Sequence, residues 1–328
     1  MEKFIIGIDG GGTKTHAVFI ALNGKILGQT TVGASNFQQA GQSGIQTVCR
    51  QILDQVKKNG LSEDGIRRWV LGLAGAGRPA DKAAVKEAVE ELGFKNRVTV
   101  ESDAYIALMG AFVGESGIIL ISGTGSICYG LNTNGKMARA GGWGYLLGDE
   151  GSGYFIGNQA VIAALKDLDG RGKKTALRQK FESLFGISTI DLLVPKIYKG
   201  DLQKEDIAGL APMVFQAAAE DDSVALEIIE RAGRELGKMA VAVTRQLEIV
   251  GETIRIAPIG SVLENQKEVL EPHILNEMRK ASDSVLFQDA QYPAAIGAAI
   301  AGLKQEKIKL SLELLENIST SYESLQAV

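Results

Sequence analysis

The chain has 328 residues, 45% of them hydrophobic and 23% charged, with a formal net charge of −4. That length favours two domains with substantial cores, and the acidic balance excludes the basic footprint of a nucleic-acid-binding surface. No run of about 18 apolar residues is present, and Met1-Glu2-Lys3 opens directly into a strand, so neither a membrane span nor a signal peptide is expected.

Ile5-Ile6-Gly7-Ile8 reads as an apolar strand that delivers Asp9 into Gly10-Gly11-Gly12-Thr13-Lys14-Thr15. Glycines let main-chain N–H groups approach an anion closely, and the Thr13 and Thr15 hydroxyls can add donors. Residues 16–22 alternate as a second strand, Asn23-Gly24 signals a type I′ hairpin, and a third strand starts at Ile26. This strand–loop–strand order differs from the strand–loop–helix of Walker and Rossmann phosphate loops, and neither consensus spacing is present.

In Ala34-Ser35-Asn36-Phe37, Asn36 suits either a helix N-cap or contact with a substrate hydroxyl. The helix that follows carries the stripe Ile45, Val48, Cys49, Ile52, Leu53 and Val56 and stops at Lys57-Lys58-Asn59-Gly60. Residues 69–74 read as a buried strand, 81–92 as a helix, 98–101 as a short strand and 104–113 as a helix. Such alternation calls for a largely parallel sheet with helices on its faces, as in a ribonuclease-H-like unit. Asp103 falls where strand gives way to helix. Ligands of open α/β sheets gather there, so it is either a catalytic carboxylate or the N-cap of the helix.

The opening motif then recurs. An apolar strand at 118–121 enters Ser122-Gly123-Thr124-Gly125-Ser126, and a second strand at 127–131 runs to Asn134-Gly135-Lys136. Ser122 follows Asp9 by 113 positions and Asn134 follows Asn23 by 111, the near-constant spacing of a duplicated domain. The segment from Ala140 to Ser152 holds five glycines, Trp143, Tyr145 and the adjacent carboxylates Asp149 and Glu150. It suits a sugar, with polar groups for the hydroxyls and an aromatic for the ring, or else a strained turn into a capped helix. Helical periodicity runs from 153 to 250, a strand returns at 253–259 and Gly260-Ser261 forms a helix entry where an adenosine could dock. A short strand at 285–288, a small-residue helix at 294–303 and an amphipathic helix at 310–325 complete the chain. Cys49 and Cys128, the only cysteines, read as packed thiols. His16 and His273 lack neighbours at metal-ligand spacing, which argues against structural zinc, and a reducing cytoplasm is expected.

Taken in order, Asp9-Gly-Gly-Gly-Thr13, Ser35-Asn36, Asp103-Ala104, Ser122-Gly-Thr-Gly-Ser126 and Gly141-Gly-Trp-Gly with Gly148-Asp-Glu-Gly-Ser152 resemble the N-acetylglucosamine and glucosamine kinases. These belong to the BadF/BadG/BcrA/BcrD ATPase group of the actin–sugar kinase–Hsp70 superfamily, and the resemblance spans residues 5–303. It implies an α/β fold of two ribonuclease-H-like, actin-like ATPase domains. The first would cover 1–116, joined by a C-terminal helix at 308–328, and the second 117–307 with a helical insertion at 153–250.

The implied reaction is ATP-dependent phosphorylation of the 6-hydroxyl of an amino sugar, N-acetylglucosamine first, with glucosamine or N-acetylmuramic acid as alternatives. ATP and Mg²⁺ are the implied cofactors. By the same resemblance Asp9 organises Mg²⁺ through water, while Gly10, Gly11, Gly12, Thr13 and Lys14 hold phosphates. Gly123, Thr124, Gly125 and Ser126 close on them, and Gly260 and Ser261 take the adenosine side. Asp103 is the general base, and Asn36, Asp103, Thr124, Gly142, Trp143 and Asp149 line the sugar. Ala140 stands where some relatives carry Cys, so no thiol role transfers. A homodimer without nucleic-acid or membrane partners is expected. Two rival readings are an iron–sulfur ATPase activator of a radical acyl-CoA dehydratase, opposed by the placement of both cysteines, and a non-catalytic sugar sensor, opposed by the lack of a helix-turn-helix.

Overall fold

The computed structural model describes residues 2–326, which form two compact units: the chain up to Glu115 together with the segment from Ala290 onward, and Ser116–Asp289. In the first unit, β1 (Phe4–Gly10), β2 (Thr15–Ala21) and β3 (Ile26–Val32) form an antiparallel meander followed by α1 (Phe37–Lys58). Next come β4 (Ile66–Leu73), α2 (Pro79–Val89), β5 (Val98–Glu101) and α3 (Asp103–Phe112), with β4 parallel to β1 and β5 parallel to β4. The sheet order is β3-β2-β1-β4-β5.

The period of two along β1 sorts its side chains between two cores. Phe4, Ile6 and Ile8 pack with Ile52, Trp69 and Val85, whereas Ile5 packs with Ile106, Ala295 and Ile300.

The second unit repeats this plan with β6 (Gly117–Ser122), β7 (Ser126–Leu131) and β8 (Met137–Gly141) as its meander. The chain is then helical through α4 (Gly153–Leu168), α5 (Ala176–Phe185), α6 (Leu193–Lys199), α7 (Lys204–Ala208), α8 (Ala211–Ala219) and α9 (Ser223–Gln246). It returns to the sheet as β9 (Ile254–Ile259), continues as α10 (Ser261–Met278) and ends the unit with β10 (Val285–Phe287). The order β10-β9-β6-β7-β8 is that of the first sheet, with the same strand directions. Matching pairs are Gly10 with Thr15 and Ser122 with Ser126, so Ser122 occupies the register place of Gly10 and Ile121 that of Asp9. The acidic residue of the first loop therefore has no counterpart in the second.

Both hairpins turn alike, but not as type I′. Gly24 N–H donates to Ala21 O (2.9 Å) and Ala21 N–H to Lys25 O (2.9 Å); Gly135 and Asn132 repeat the pattern with Asn132 O and Lys136 O. Only the glycines are left-handed, at φ +92° and +80°. This is a type I turn closed by a glycine bulge, which an Asn-Gly pair fits equally well.

Two helices follow, α11 (Ala294–Gln305) and α12 (Leu312–Gln326). The expected second domain ran to 307, yet α11 packs in the first unit, against β1 and α3. Its small side chains are the physical reason. A Cβ on Gly7 would lie 2.3 Å from Ala295 O, and one on Gly297 would lie 2.0 Å from Ile106 O. Backbones this close admit only glycine. α12 caps the first hairpin, with Leu314 O pressed on Gly24, and Ser321 Oγ accepts from Ile26 N–H (3.0 Å).

Candidate active site

Within the first unit, the candidate residues collect at the carboxyl ends of β1, β4 and β5. Asp9 closes β1 and is half-buried. Its carboxyl is pushed up to about 6, first by burial and then by the charge of Asp103, with Lys14 opposing. In the loop beyond it, Gly11 N–H donates to Lys14 O (3.0 Å), and Gly11 O accepts from Ser35 N–H and Asn36 N–H (both 3.0 Å). Gly10 N–H and O lie in the strand ladder, leaving Gly12, Thr13 and Lys14 as the exposed part of the loop. Among the described residues, the Gly12 and Thr13 amides have no backbone partner. The expected phosphate donors thus narrow from Gly10, Gly11, Gly12 and Thr13 to Gly12 and Thr13. Thr15 is fully buried, its hydroxyl donating to Gly33 O (2.6 Å) and lying 2.7 Å from Ser35 Oγ; it braces the loop and cannot meet a ligand.

At the end of β5 two acceptors stand side by side. Ser102 is the N-cap of α3 and accepts from Tyr105 N–H (3.1 Å). Asp103 is the first helical residue, exposed, with Oδ1 accepting from Ala104 N–H (2.8 Å). The cap therefore does not consume Asp103, whose second oxygen is free of protein partners among the described residues. Asn36 caps α1 through Oδ1, which accepts from Gln38 N–H (3.1 Å). Its turn is tied to the end of β4, where Phe37 N–H donates to Ala74 O (3.2 Å), and the Asn36 amide NH₂ is left without a partner among the described residues.

Within the second unit, Gly123 N–H donates to Gly125 O (3.0 Å), while Gly123 O accepts from Gly153 N–H (2.7 Å) at the start of α4. Ser126 was expected to hold phosphate, but its hydroxyl donates to Glu150 O (2.8 Å) and its amide to the Asp149 carboxylate. Asp149 adopts a left-handed φ of +60°, and its carboxylate also accepts from Gly144 N–H. Burial raises its pKa, against the lowering effect of those two amides. A Cβ on Gly125 would lie 2.8 Å from Asp149 Oδ2. Asp149 thus clamps the Gly123–Ser126 loop to the glycine-rich segment. Gly142 is left-handed and exposed, and Trp143 is 66% exposed with the Arg139 guanidinium over its ring (4.3 Å).

Gly260 is left-handed at φ +93°, where a Cβ would meet Ser122 O at 2.7 Å, and Ser261 begins α10. Beside them opens a cavity of about 280 Å³, lined by Gly123, Thr124, Ser261 and, from α7, α8 and α10, Glu205, Phe215 and Asn265. This is the size of a small-molecule cleft. Sequence reasoning missed those last three residues. Glu205 and Phe215 sit far from the glycine motifs along the chain, inside the helical insertion, and Asn265 lies within α10; no local motif marks them.

The residues fit nucleotide and magnesium in kind. Asp9 is a carboxylate whose charge is penalised by burial and by Asp103, a setting that a cation relieves. Among the described residues no cluster of three or more metal-ligating side chains occurs. Both cysteines are buried, with Cys49 pushed up to about 12 and Cys128 also raised by burial. Neither thiol is set up to ligate a cluster.

The chain is 37% identical over 292 residues to the N-acetylmuramic acid/N-acetylglucosamine kinase of Clostridium acetobutylicum, covering 89% of this chain and 92% of that one. It is 30% identical over 318 residues to the N-acetyl-D-glucosamine kinase of Dictyostelium discoideum, covering 93% and 99%. The crystal structure of a proposed N-acetylglucosamine kinase from Chromobacterium violaceum superposes with a TM-score of 0.70 at 28% identity, covering 92% of this chain and 99% of that one. The model of the BadF/BadG/BcrA/BcrD ATPase family matches residues 6–302, and the chain belongs to that family.

Proposed function

We propose that this protein transfers the γ-phosphoryl group of ATP to the 6-hydroxyl of an amino sugar, N-acetylglucosamine among its substrates, with Asp103 as general base. Sugar-kinase activity follows from the family and from relatives named as amino-sugar kinases. The observation that carries the finer reading is the division of labour at the start of α3. Ser102 serves the helix, and Asp103 keeps an oxygen open beside the charge of Asp9.

Asp103 takes the proton of the sugar hydroxyl as its oxygen attacks the γ-phosphorus and ADP departs. Asp9 would hold magnesium through water, and the ion would neutralise charge on the phosphates. The Gly12 and Thr13 amides, with Lys14, supply fixed positive dipoles and charge for phosphate oxygens. In the second unit, Thr124 and Gly125 present the loop that Asp149 clamps, and the cavity bounded by Ser261, Phe215 and Glu205 receives the nucleoside. Gly142, Trp143 and the Asn36 amide are assigned to the sugar, with the aromatic face meeting its C–H surface. Asp149 holds that segment in place and meets the sugar with its remaining lone pairs.

A coupled ADP-release assay with Mg·ATP across glucose, glucosamine, N-acetylglucosamine and N-acetylmuramic acid, with product mass determined, tests the reading. Sugar-dependent ADP release with a 6-phosphate product is expected. ADP release indifferent to every sugar would refute it.

A further inference from the structure

Arg139 lies on β8, the edge strand of the second sheet, opposite Tyr129 of β7. Ala138, next to it, points into the core, so the alternation of the strand sends Arg139 to the other, exposed side. Four residues on, Trp143 folds back until its ring lies 4.3 Å from the guanidinium carbon. Gly148 fits against it, since a Cβ there would come 3.3 Å from Trp143 Cβ. The tryptophan ring is mostly exposed, and a planar cation rests on it.

Among the described residues this guanidinium has no carboxylate partner. The two acids of the neighbouring segment do not supply one: among the described residues neither Asp149 nor the exposed Glu150 forms an ion pair with Arg139. Stacking uses the face of a guanidinium and leaves its in-plane donors open, in the fork that matches a carboxylate. An unpaired fork fixed to the aromatic platform of a sugar site is a receptor for an anionic substituent of the sugar.

We propose that Arg139 is a specificity-determining residue that binds the carboxylate of an acidic amino sugar, one bearing a carboxyalkyl ether such as N-acetylmuramic acid. This rests on the reading of Trp143 as part of the sugar site. A contact made equally in the ground state and the transition state is uniform binding, so its loss is read in KM with kcat unchanged.

The test compares kcat/KM for N-acetylmuramic acid and N-acetylglucosamine in the wild type, Arg139→Met and Arg139→Lys, with thermal melts to establish folding. Methionine keeps an apolar stem against Trp143 without the charge. In Arg139→Met the ratio of the two kcat/KM values should shift roughly ten- to a hundredfold against N-acetylmuramic acid, the size of a lost charge-assisted hydrogen bond. The shift should lie in KM, and Arg139→Lys should recover part of it. An unchanged ratio, or a wild type that uses N-acetylglucosamine but not N-acetylmuramic acid, overturns the proposal for Arg139 alone. A wild type that phosphorylates neither sugar overturns the kinase reading and this inference together.

Discussion

Replacing Asp103 by Asn removes a proton acceptor and a negative charge while keeping the shape of the side chain and one acceptor oxygen for Ala104 N–H. A positioned carboxylate base contributes about 10²–10⁴-fold, so kcat should fall by that factor, or about 3–5 kcal/mol at the transition state. Mg·ATP affinity should be retained or improved, since the charge of Asp103 is one of the two influences that raise the Asp9 carboxyl. The cap of α3 belongs to Ser102, so melting should move by no more than a surface substitution does, within about 0.5 kcal/mol. Ser102→Ala should show the opposite pattern, losing about 1 kcal/mol of stability with the chemical step largely preserved. Single-turnover phosphoryl transfer, nucleotide binding by calorimetry and thermal denaturation on both variants separate the two roles. A large stability loss in Asp103→Asn, or equal losses of nucleotide binding and turnover, would show that Asp103 organises the fold and not the reaction.

Asp9 carries a raised carboxyl pKa, so the folded state holds its proton more tightly than the unfolded chain. The resulting destabilisation is absent below pH 3.8, grows as pH rises, and is complete above about 6. Without magnesium, Asp9→Asn should therefore melt higher than wild type at pH 8, by up to about 3 kcal/mol, with the gain gone near pH 4, while turnover is abolished. A wild type that melts higher at both pH values would contradict the shift. Trp143→Phe should abolish the fluorescence change on sugar binding, because the only other tryptophan, Trp69, is fully buried. Trp143→Ala should raise the sugar KM about tenfold, a loss of about 1.4 kcal/mol; a sugar-dependent signal surviving in Trp143→Phe would remove Trp143 from the site. Gly297→Ala forces a Cβ onto Ile106 O and should cost about 1–3 kcal/mol in thermal or urea denaturation. Wild-type stability in that variant would mean that α3 and α11 can separate freely.

The architecture was legible because strand–glycine–strand motifs combine two strong local signals, a period of two and residues that tolerate special backbone. Their spacing exposed the repeat, although matching Asp9 with Ser122 was one place out of register, which only the strand pairing reveals. Turn type was misread because Asn-Gly satisfies two hairpin geometries that differ in the φ of the Asn. Ser102 and Asp103 are both good caps, and sequence alone does not say which of two adjacent acceptors takes the amide. Among the site residues, Thr15, Gly11 and Ser126 have the right chemistry for phosphate but spend it inside the fold. Glu205, Phe215 and Asn265 reach the cavity through helix packing, which leaves no local pattern. The placement of α11 likewise follows from shape matching at Gly7, Gly110 and Gly297 rather than from chain continuity.

The return of α11 and α12 to the first unit has a consequence for biosynthesis. Half of one core of that unit, including Ala295, Ile296, Ile300, Leu314 and Ile318, is translated last. The second unit is continuous in sequence and can complete itself as soon as it clears the ribosome. At about 5–20 residues per second, the N-terminal sheet, complete at Glu101, then waits on the order of 10–40 s for α11, with Ile5, Val18 and Val70 only partly covered. The nascent chain should therefore mature in the reverse of its domain order. Chaperone demand should fall on the N-terminal sheet, and a chain truncated after residue 293 and released should hold a protease-resistant second unit attached to a protease-sensitive first one.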